Sequence, residues 1–282
     1  MKRLIVNADD FGLTAGVNRA IVELNRHGTL TSATLMASAS STAEAIDLAR
    51  STPDLGAGCH VVLVDGTAVT PVELLPSLTA AKSFSHTLSA FLSRTLLAQR
   101  LSIQSDIETE AFAQISLLQS RGMHLTHIDT HKHTHMFPRV LRPVLRAARA
   151  AGIRVVRNPF EPEWSIRATP RAPWLRRLQV RLLRMLEPTF RRIVAEEGFA
   201  TTDGAIGVLA TGTLDTEAIT SLLDAMPDGT WELVTHPGYD DADLANARTR
   251  LLASRETELQ ALLATRIPPN VQLIHFGQLG NH

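Results

Sequence analysis

Within Thr126-His127-Ile128-Asp129-Thr130-His131-Lys132-His133-Thr134-His135 there are four histidines and one aspartate in ten residues. Imidazoles and carboxylates are the side chains that bind zinc-like divalent ions, and such density after an apolar run is hard to explain by packing. All five occupy odd positions, so an extended backbone would set His127, Asp129, His131, His133 and His135 on one face. One ion cannot take them all, and some must orient the others. The competing account is a polar loop facing solvent.

Four further segments carry residue types of the same kind. Asn7-Ala8-Asp9-Asp10-Phe11-Gly12 follows the apolar run Leu4-Ile5-Val6. Adjacent acids at a strand end can divide the work, one on a metal and one on substrate, although Asp and Gly are equally common in turns and caps. Gly58-Cys59-His60 places a histidine in an apolar stretch, where a packed, hydrogen-bonded residue is the more frequent outcome. Trp231-Glu232-Leu233-Val234-Thr235-His236-Pro237-Gly238 and Arg157-Asn158-Pro159-Phe160 each put one polar residue just past a strand-like run. Taken singly, each is more often structural.

The elements that must position these residues alternate along the chain. Strand-like runs fall at Leu4–Val6, Thr31–Ala37, Gly56–Val64, Leu125–Asp129, Ile153–Val156, Ala205–Leu209, Trp231–Val234 and Val271–Ile274. Helical periodicity covers Val17–His27 before Gly28, Thr42–Arg50, and Arg139–Ala151 before Gly152. Strand, helix, strand in this order implies parallel pairing through crossover helices. Seven or eight such units predict an α/β fold, a closed or partly closed β/α barrel, with a doubly wound open sheet as the alternative. A single domain over 1–282 is expected, with helical insertions at about 67–120 and 161–200. Loops after the C-terminal ends of parallel strands build active sites. A barrel would therefore bring Asp, His, His, Arg and His to one mouth, and that convergence is what separates a site from five scattered polar residues.

Bulk properties exclude several classes of function. With 28 basic and 28 acidic residues, the chain lacks the positive excess a general nucleic-acid binder needs. Cys59 is the single cysteine, so no internal disulfide can form. The first apolar run stops after three residues, short of the roughly 7–15 of a signal peptide, and no window approaches a membrane span of about 20. A cytoplasmic protein is expected, with peripheral contact at the inner membrane left open. That contact would involve residues 174–194, where Arg177, Arg181 and Arg184 recur at helical spacing beside Leu175, Leu178, Leu182, Met185 and Leu186. Most amphipathic helices cover cores, so the stripe is expected to pack on the barrel. A basic helix carrying Trp174 could instead lie in a lipid interface.

Taken in order, the Asn7–Gly12 block, Gly58-Cys59-His60, Asp129-Thr130-His131-Lys132-His133 and His236-Pro237-Gly238 resemble the YdjC-like carbohydrate deacetylases over nearly the whole chain, to about residue 275. The resemblance implies a distorted β/α barrel and a divalent metal held by Asp10, His60 and His131, with Asp9 as the base. It implies magnesium, whereas the donor set alone suits zinc. In the deacetylation this implies, His236 is the acid that protonates the leaving amine, and Arg157 keeps Asp9 ionised. The substrate would be an N-acetylated sugar of the N-acetylglucosamine type or a glycolipid. Asn158-Pro159-Phe160-Glu161-Pro162 and the His131-Lys132-His133 form are similar to a branch acting on a hopanoid-linked sugar. His135-Met136-Phe137-Pro138 is similar instead to the chitooligosaccharide-acting branch. Two other classes fit the ligand types: a metal-dependent phosphoesterase, which would usually need more carboxylates, and a sugar-binding barrel without catalysis, which would need neither Asp9 nor His236.

Overall fold

The computed structural model describes residues 1–80, 83–84, 87–97 and 101–279. In chain order it runs β1 (Lys2–Phe11), α1 (Ala15–His27), β2 (Ser32–Leu35), α2 (Thr42–Arg50) and β3 (Gly56–Val61). The short strands β4 (Thr79–Ala80) and β5 (Ser83–Phe84) precede α3 (Leu88–Leu97), α4 (Leu101–Ser120), β6 (Ile128–Thr130) and α5 (Pro138–Ala150). Next come α6 (Glu163–Ala168), α7 (Trp174–Leu183), α8 (Glu187–Glu196), β7 (Gly204–Ile206), α9 (Thr216–Ala225) and β8 (Gly229–Thr235). The helices α10 (Ala242–Asn246) and α11 (Ala253–Ala264) and strand β9 (Val271–Leu273) complete the chain.

The main sheet has the order β6-β3-β2-β1-β8-β7, all parallel, and β9 pairs with the first residues of β1. Backbone hydrogen bonds carry the ring onward from β6. Ile128 N–H donates to Val155 O at 3.0 Å, Val156 N–H to Ala200 O at 3.0 Å, and Ala205 N–H to Phe160 O at 3.1 Å. Residues 153–156, expected as a strand, thus fill the gap between β6 and β7 through isolated bridges and not a full ladder. The fold is a distorted β/α barrel, as the alternation of elements predicts.

Strand alternation sorts the side chains of β1. Leu4, Val6 and Ala8 join the large core beneath the helices, while Ile5 packs inward with Val155, Ile274 and Phe276 to floor the barrel. Above that floor the interior turns polar: Asn7, Asp9, Thr34, His60, Asp129, Arg157 and Glu232 are all buried. Aliphatic layers usually fill such barrels. Buried charges demand partners, so this layer must satisfy itself.

The histidine-rich segment departs from a single extended face. After β6 the chain tightens into 3-10 turns over His131–Met136, with Lys132 and His133 at left-handed φ of 56° and 51°. His127 stays in the floor, stacked on Phe276 with ring centroids 3.8 Å apart. Gly58 faces this ring, and a Cβ there would collide with it, which explains the glycine in β3. Asp129 lies one layer up, and His131 reaches the mouth. His135 turns away to Thr130 Oγ1 at 2.7 Å and Arg157 O at 3.2 Å.

Residues 67–120 hold more than a helical excursion. β4 and β5 form a small antiparallel pair, and α4 is the crossover that packs on α5. From α4, Gln114 brackets the backbone of Val62, and Glu110 accepts Val69 N–H and Thr70 N–H at 2.8 and 2.9 Å. These bonds hold the loop after β3. In 161–200, α8 packs on α5 and α6 on α9, but of the expected apolar stripe only Leu186 packs on the core. Trp174, Leu175, Leu178, Leu182 and Met185 face outward, between 46% and 75% exposed. The arginines bind back onto the insertion: Arg177 donates to the carbonyls of Ile166, Thr169 and Ala172, while Arg184 and the exposed Arg181 pair with Glu163. Carbonyls left open at the end of α6 need donors, and the long guanidinium supplies them. Among the described residues no helix is long and apolar enough to cross a membrane.

Candidate active site

Asp9 and Asp10 close β1, and a bulge decides where they point. Ala8 pairs with Ala33, yet Phe11 pairs with Leu35, so β1 carries one extra residue against β2. Asp10 takes up the excess with φ 64°. Simple alternation would send Asp10 outward, but the bulge re-aims it into the mouth. There its Oδ1 lies 3.5 Å from His60 Nε2 and 3.3 Å from His131 Nδ1, and those two nitrogens are 3.2 Å apart.

These three residues offer ligand atoms within 4.8 Å of one another. Asp10 Oδ1 is buried without a hydrogen-bond partner, as an oxygen reserved for a cation would be. The other imidazole nitrogen of His60 contacts Asp129 Oδ1 at 2.8 Å. A carboxylate behind a histidine fixes its orientation and raises its basicity. Burial opposes the charged imidazole, but Asp129 together with Asp9 and Asp10 outweighs it, and His60 is pushed up to about 9. Burial likewise disfavours ionised Asp10, yet Arg255 and His131 hold its carboxyl well below the usual range.

Arg157 organises the layer beneath. Its Nη1 and Nη2 donate to Asp9 Oδ2 and Oδ1 at 2.9 and 2.6 Å, a two-pronged grip. Nη1 also contacts Asp129 Oδ2 at 2.5 Å, and Nε donates to Glu232 Oε1 at 2.7 Å. Asn7 Nδ2 and Thr34 Oγ1 add donors to Asp9 Oδ1 at 3.1 and 3.3 Å. Burial works against ionisation of Asp9, but Arg157 holds its carboxyl far below the carboxylate range. One guanidinium serves three carboxylates, and burial pushes the third, Glu232, up to about 7.

On the opposite side His236 leaves β8 with its Nε2 3.7 Å from Asp9 Oδ2. Behind it Glu258 accepts the His236 backbone N–H at 2.6 Å. Beside Asp10 and His131 opens a cavity of about 370 Å³, lined by Met36, Ser40, Asp65, Thr67, Asn246 and Thr249 among others.

The mouth thus unites Asp9, Asp10, His60, His131, Arg157 and His236, the six residues singled out in the sequence. His127 and His135 lie outside it. Asp129, one of the five residues expected on one face, takes the orienting part, whereas Thr34, Glu232, Arg255 and Glu258 were given no role in the sequence. Glu232 carried a signal, an acid inside the apolar strand Trp231-Glu232-Leu233. Arg255 and Glu258 carried none, because charges on a helix ordinarily face solvent.

Fold and site together define a β/α-barrel protein with an Asp-His-His candidate metal centre beside an arginine-held carboxylate. The family model described as YdjC-like protein matches residues 3–271, and the chain belongs to that family. It is 32% identical to a carbohydrate deacetylase of Brevibacillus brevis, covering 99% of this chain and 100% of the relative. A carbohydrate deacetylase of Thermoanaerobacter pseudethanolicus is 29% identical, over 93% of this chain and 91% of the relative. Among solved structures, an Enterococcus faecalis protein described as a cellobiose-phosphate cleavage protein superposes with a TM-score of 0.75 at 25% identity, over 98% and 97% of the chains.

Proposed function

We propose that this chain is a carbohydrate deacetylase that hydrolyses the acetamide of an N-acetylated sugar. The observation that carries the reading is the pairing of Asp9 and His236 across the mouth, 3.7 Å apart beside the Asp10-His60-His131 cluster. A pure binding site needs neither a held carboxylate nor a facing imidazole.

Asp10, His60 and His131 would hold one divalent ion. When bound, that ion supplies Lewis acidity toward the acetyl carbonyl and the attacking water. Asp9, kept ionised by Arg157, takes the water's proton as the oxygen attacks the acetamide carbon. His236 as imidazolium gives its proton to the departing nitrogen, because an unprotonated amide anion is too basic to leave. Two imidazoles and one carboxylate suit zinc, and the family resemblance favours magnesium. The cavity beside the site falls in the roughly 300–1,000 Å³ range of small-molecule pockets, room for an N-acetylglucosamine-type unit. An acetate-release screen over N-acetylglucosamine oligomers and glycolipids, run with metal analysis, tests the reading. Release of phosphate from phosphoesters without acetate release would overturn it.

A hopanoid-linked sugar is the finer proposal for the substrate, and the α7 surface supports it. Between Trp174 and Leu186 there are four arginines and no acid. The outward apolar side chains occupy the insertion beside Val208, whose carbonyl accepts Arg176 Nη2 at 3.3 Å. That loop follows β7, so the patch flanks the mouth. A lipid surface fits the outward apolar face, and anionic headgroups would have to compete with Glu163 for Arg181 and Arg184. Sedimentation with phosphatidylglycerol vesicles at low salt is expected to capture the protein, and Leu178→Gln with Leu182→Gln to release it. Absence of capture overturns the proposal, as does a dimer that the same double variant dissolves.

A further inference from the structure

We infer that Glu258 is the positioning residue for His236, and that α11 fixes acid and metal ligand to one another. This rests on the deacetylase reading and deepens it.

Glu258 is buried at 1% exposure, although it lies on a helix whose other face is wet. Its Oε2 accepts the His236 backbone N–H at 2.6 Å and lies 3.9 Å from His236 Nδ1. That Nδ1 is buried and has no hydrogen-bond partner. Glu258 Oε1 accepts Gly212 N–H at 3.4 Å, which keeps the carboxylate from swinging away. His236 therefore stands between two carboxylates, Glu258 behind Nδ1 and Asp9 before Nε2. A carboxylate behind Nδ1 favours the proton on that nitrogen, which turns Nε2 toward the reacting atoms. The 3.9 Å separation exceeds a hydrogen bond, and such contacts commonly tighten only when substrate is bound.

One helical turn earlier, Arg255 Nη2 donates to Asp10 Oδ2 at 2.5 Å. Residues three apart share a helix face, so the two side chains reach the site together. Arg255 O also accepts Gly238 N–H at 3.2 Å. A Cβ at Gly238 would come within 3.1 Å of Arg255 Cδ and 3.0 Å of Val17 Cγ2, so the glycine lets the His236-Pro237-Gly238 turn and α11 pack closely. Acid, turn and metal ligand are thereby referred to one rigid element.

Glu258→Gln keeps an acceptor for the His236 N–H and removes the charge behind Nδ1. The variant is expected to bind metal like the wild type and to lose about 30-fold in kcat on an N-acetylated sugar, with KM within about twofold. On an aryl acetate, whose phenoxide leaves without proton assistance, the loss is expected to stay under about threefold. His236→Ala combined with Glu258→Gln should be no slower than His236→Ala alone, since residues acting through one another are not additive. Equal loss on both substrates, or full additivity, overturns the inference. A readout independent of any activity is the nitrogen-15 spectrum of the imidazoles. His236 should shift from the Nδ1–H tautomer toward a mixture in Glu258→Gln, and an unchanged tautomer overturns the positioning role. A wild type without acetate release but with this tautomer shift would overturn the deacetylase reading alone.

Discussion

Asp9 and Asp10 are consecutive residues whose carboxylates are held by different arginines, Asp9 by Arg157 from within the barrel and Asp10 by Arg255 from α11. The bulge in β1 lets neighbours that would normally face opposite sides of a sheet share one mouth with separate tasks. Asp10 keeps a free oxygen toward His60 and His131, while both oxygens of Asp9 are engaged.

The tasks are separable by substitution. His60→Ala, His131→Ala and Asp10→Asn are expected to purify with little bound metal and little activity. Asp9→Asn is expected to keep the metal and lose about 10²-fold or more in kcat. Metal content by mass spectrometry alongside acetate release checks this. A metal-free Asp9→Asn with metal-loaded Asp10→Asn would reverse the assignment.

His236 should matter in proportion to the basicity of the leaving group. His236→Ala is expected to slow an acetamide by about 10²–10⁴-fold and an activated aryl acetate far less. Steady-state rates on the two substrates decide it, and parallel loss would assign His236 to substrate positioning.

Arg157 is expected to carry stability. Its removal leaves Asp9, Asp129 and Glu232 buried without their shared cation, and breaking buried ion pairs in this way costs about 3–5 kcal/mol. Arg157→Met should lower the urea midpoint accordingly at pH 7. At pH 4 the deficit is expected to narrow, because the stranded carboxylates can then be protonated. A deficit independent of pH would contradict the charge account.

Acid should destabilise the fold through two neutral histidines, His127 just before β6 and His135 in the turn after it. Burial pushes His127 down to about 3 and His135 to about 4. The unfolded chain takes up these protons below about pH 6.5 while the native state refuses them. Stability is therefore full above pH 6.5 and falls as pH drops toward 4, by about 2 kcal/mol per histidine at pH 5. Urea titrations at pH 7 and pH 5 should show this loss, smaller by about 2 kcal/mol in His127→Gln. An unchanged pH dependence in that variant would place the acid sensitivity elsewhere.

Much of the molecule is legible before any coordinates. The alternation of Leu4-Ile5-Val6, the Val17–His27 helix stopped by Gly28, and the run ending at Trp231–Val234 report local periodicity, and periodicity is a property of neighbouring residues. The same holds for the candidate ligands, because imidazoles and acids at strand ends are visible as residue types. Tertiary structure alone decided the rest. Successive layers of the barrel separate His127 in the floor, Asp129 in support and His131 at the mouth, and the turn at Lys132 and His133 takes His135 away from them. The outward apolar face of α7 goes with Arg177 binding the carbonyls of Ile166, Thr169 and Ala172, partners that only the fold brings to it. Arg255 and Glu258 look like surface charges in the sequence and are buried in the fold, since their partners Asp10 and His236 are 245 and 22 residues away. A side chain's partner across the barrel depends on how strands twist and helices seat, and no local pattern encodes that distance.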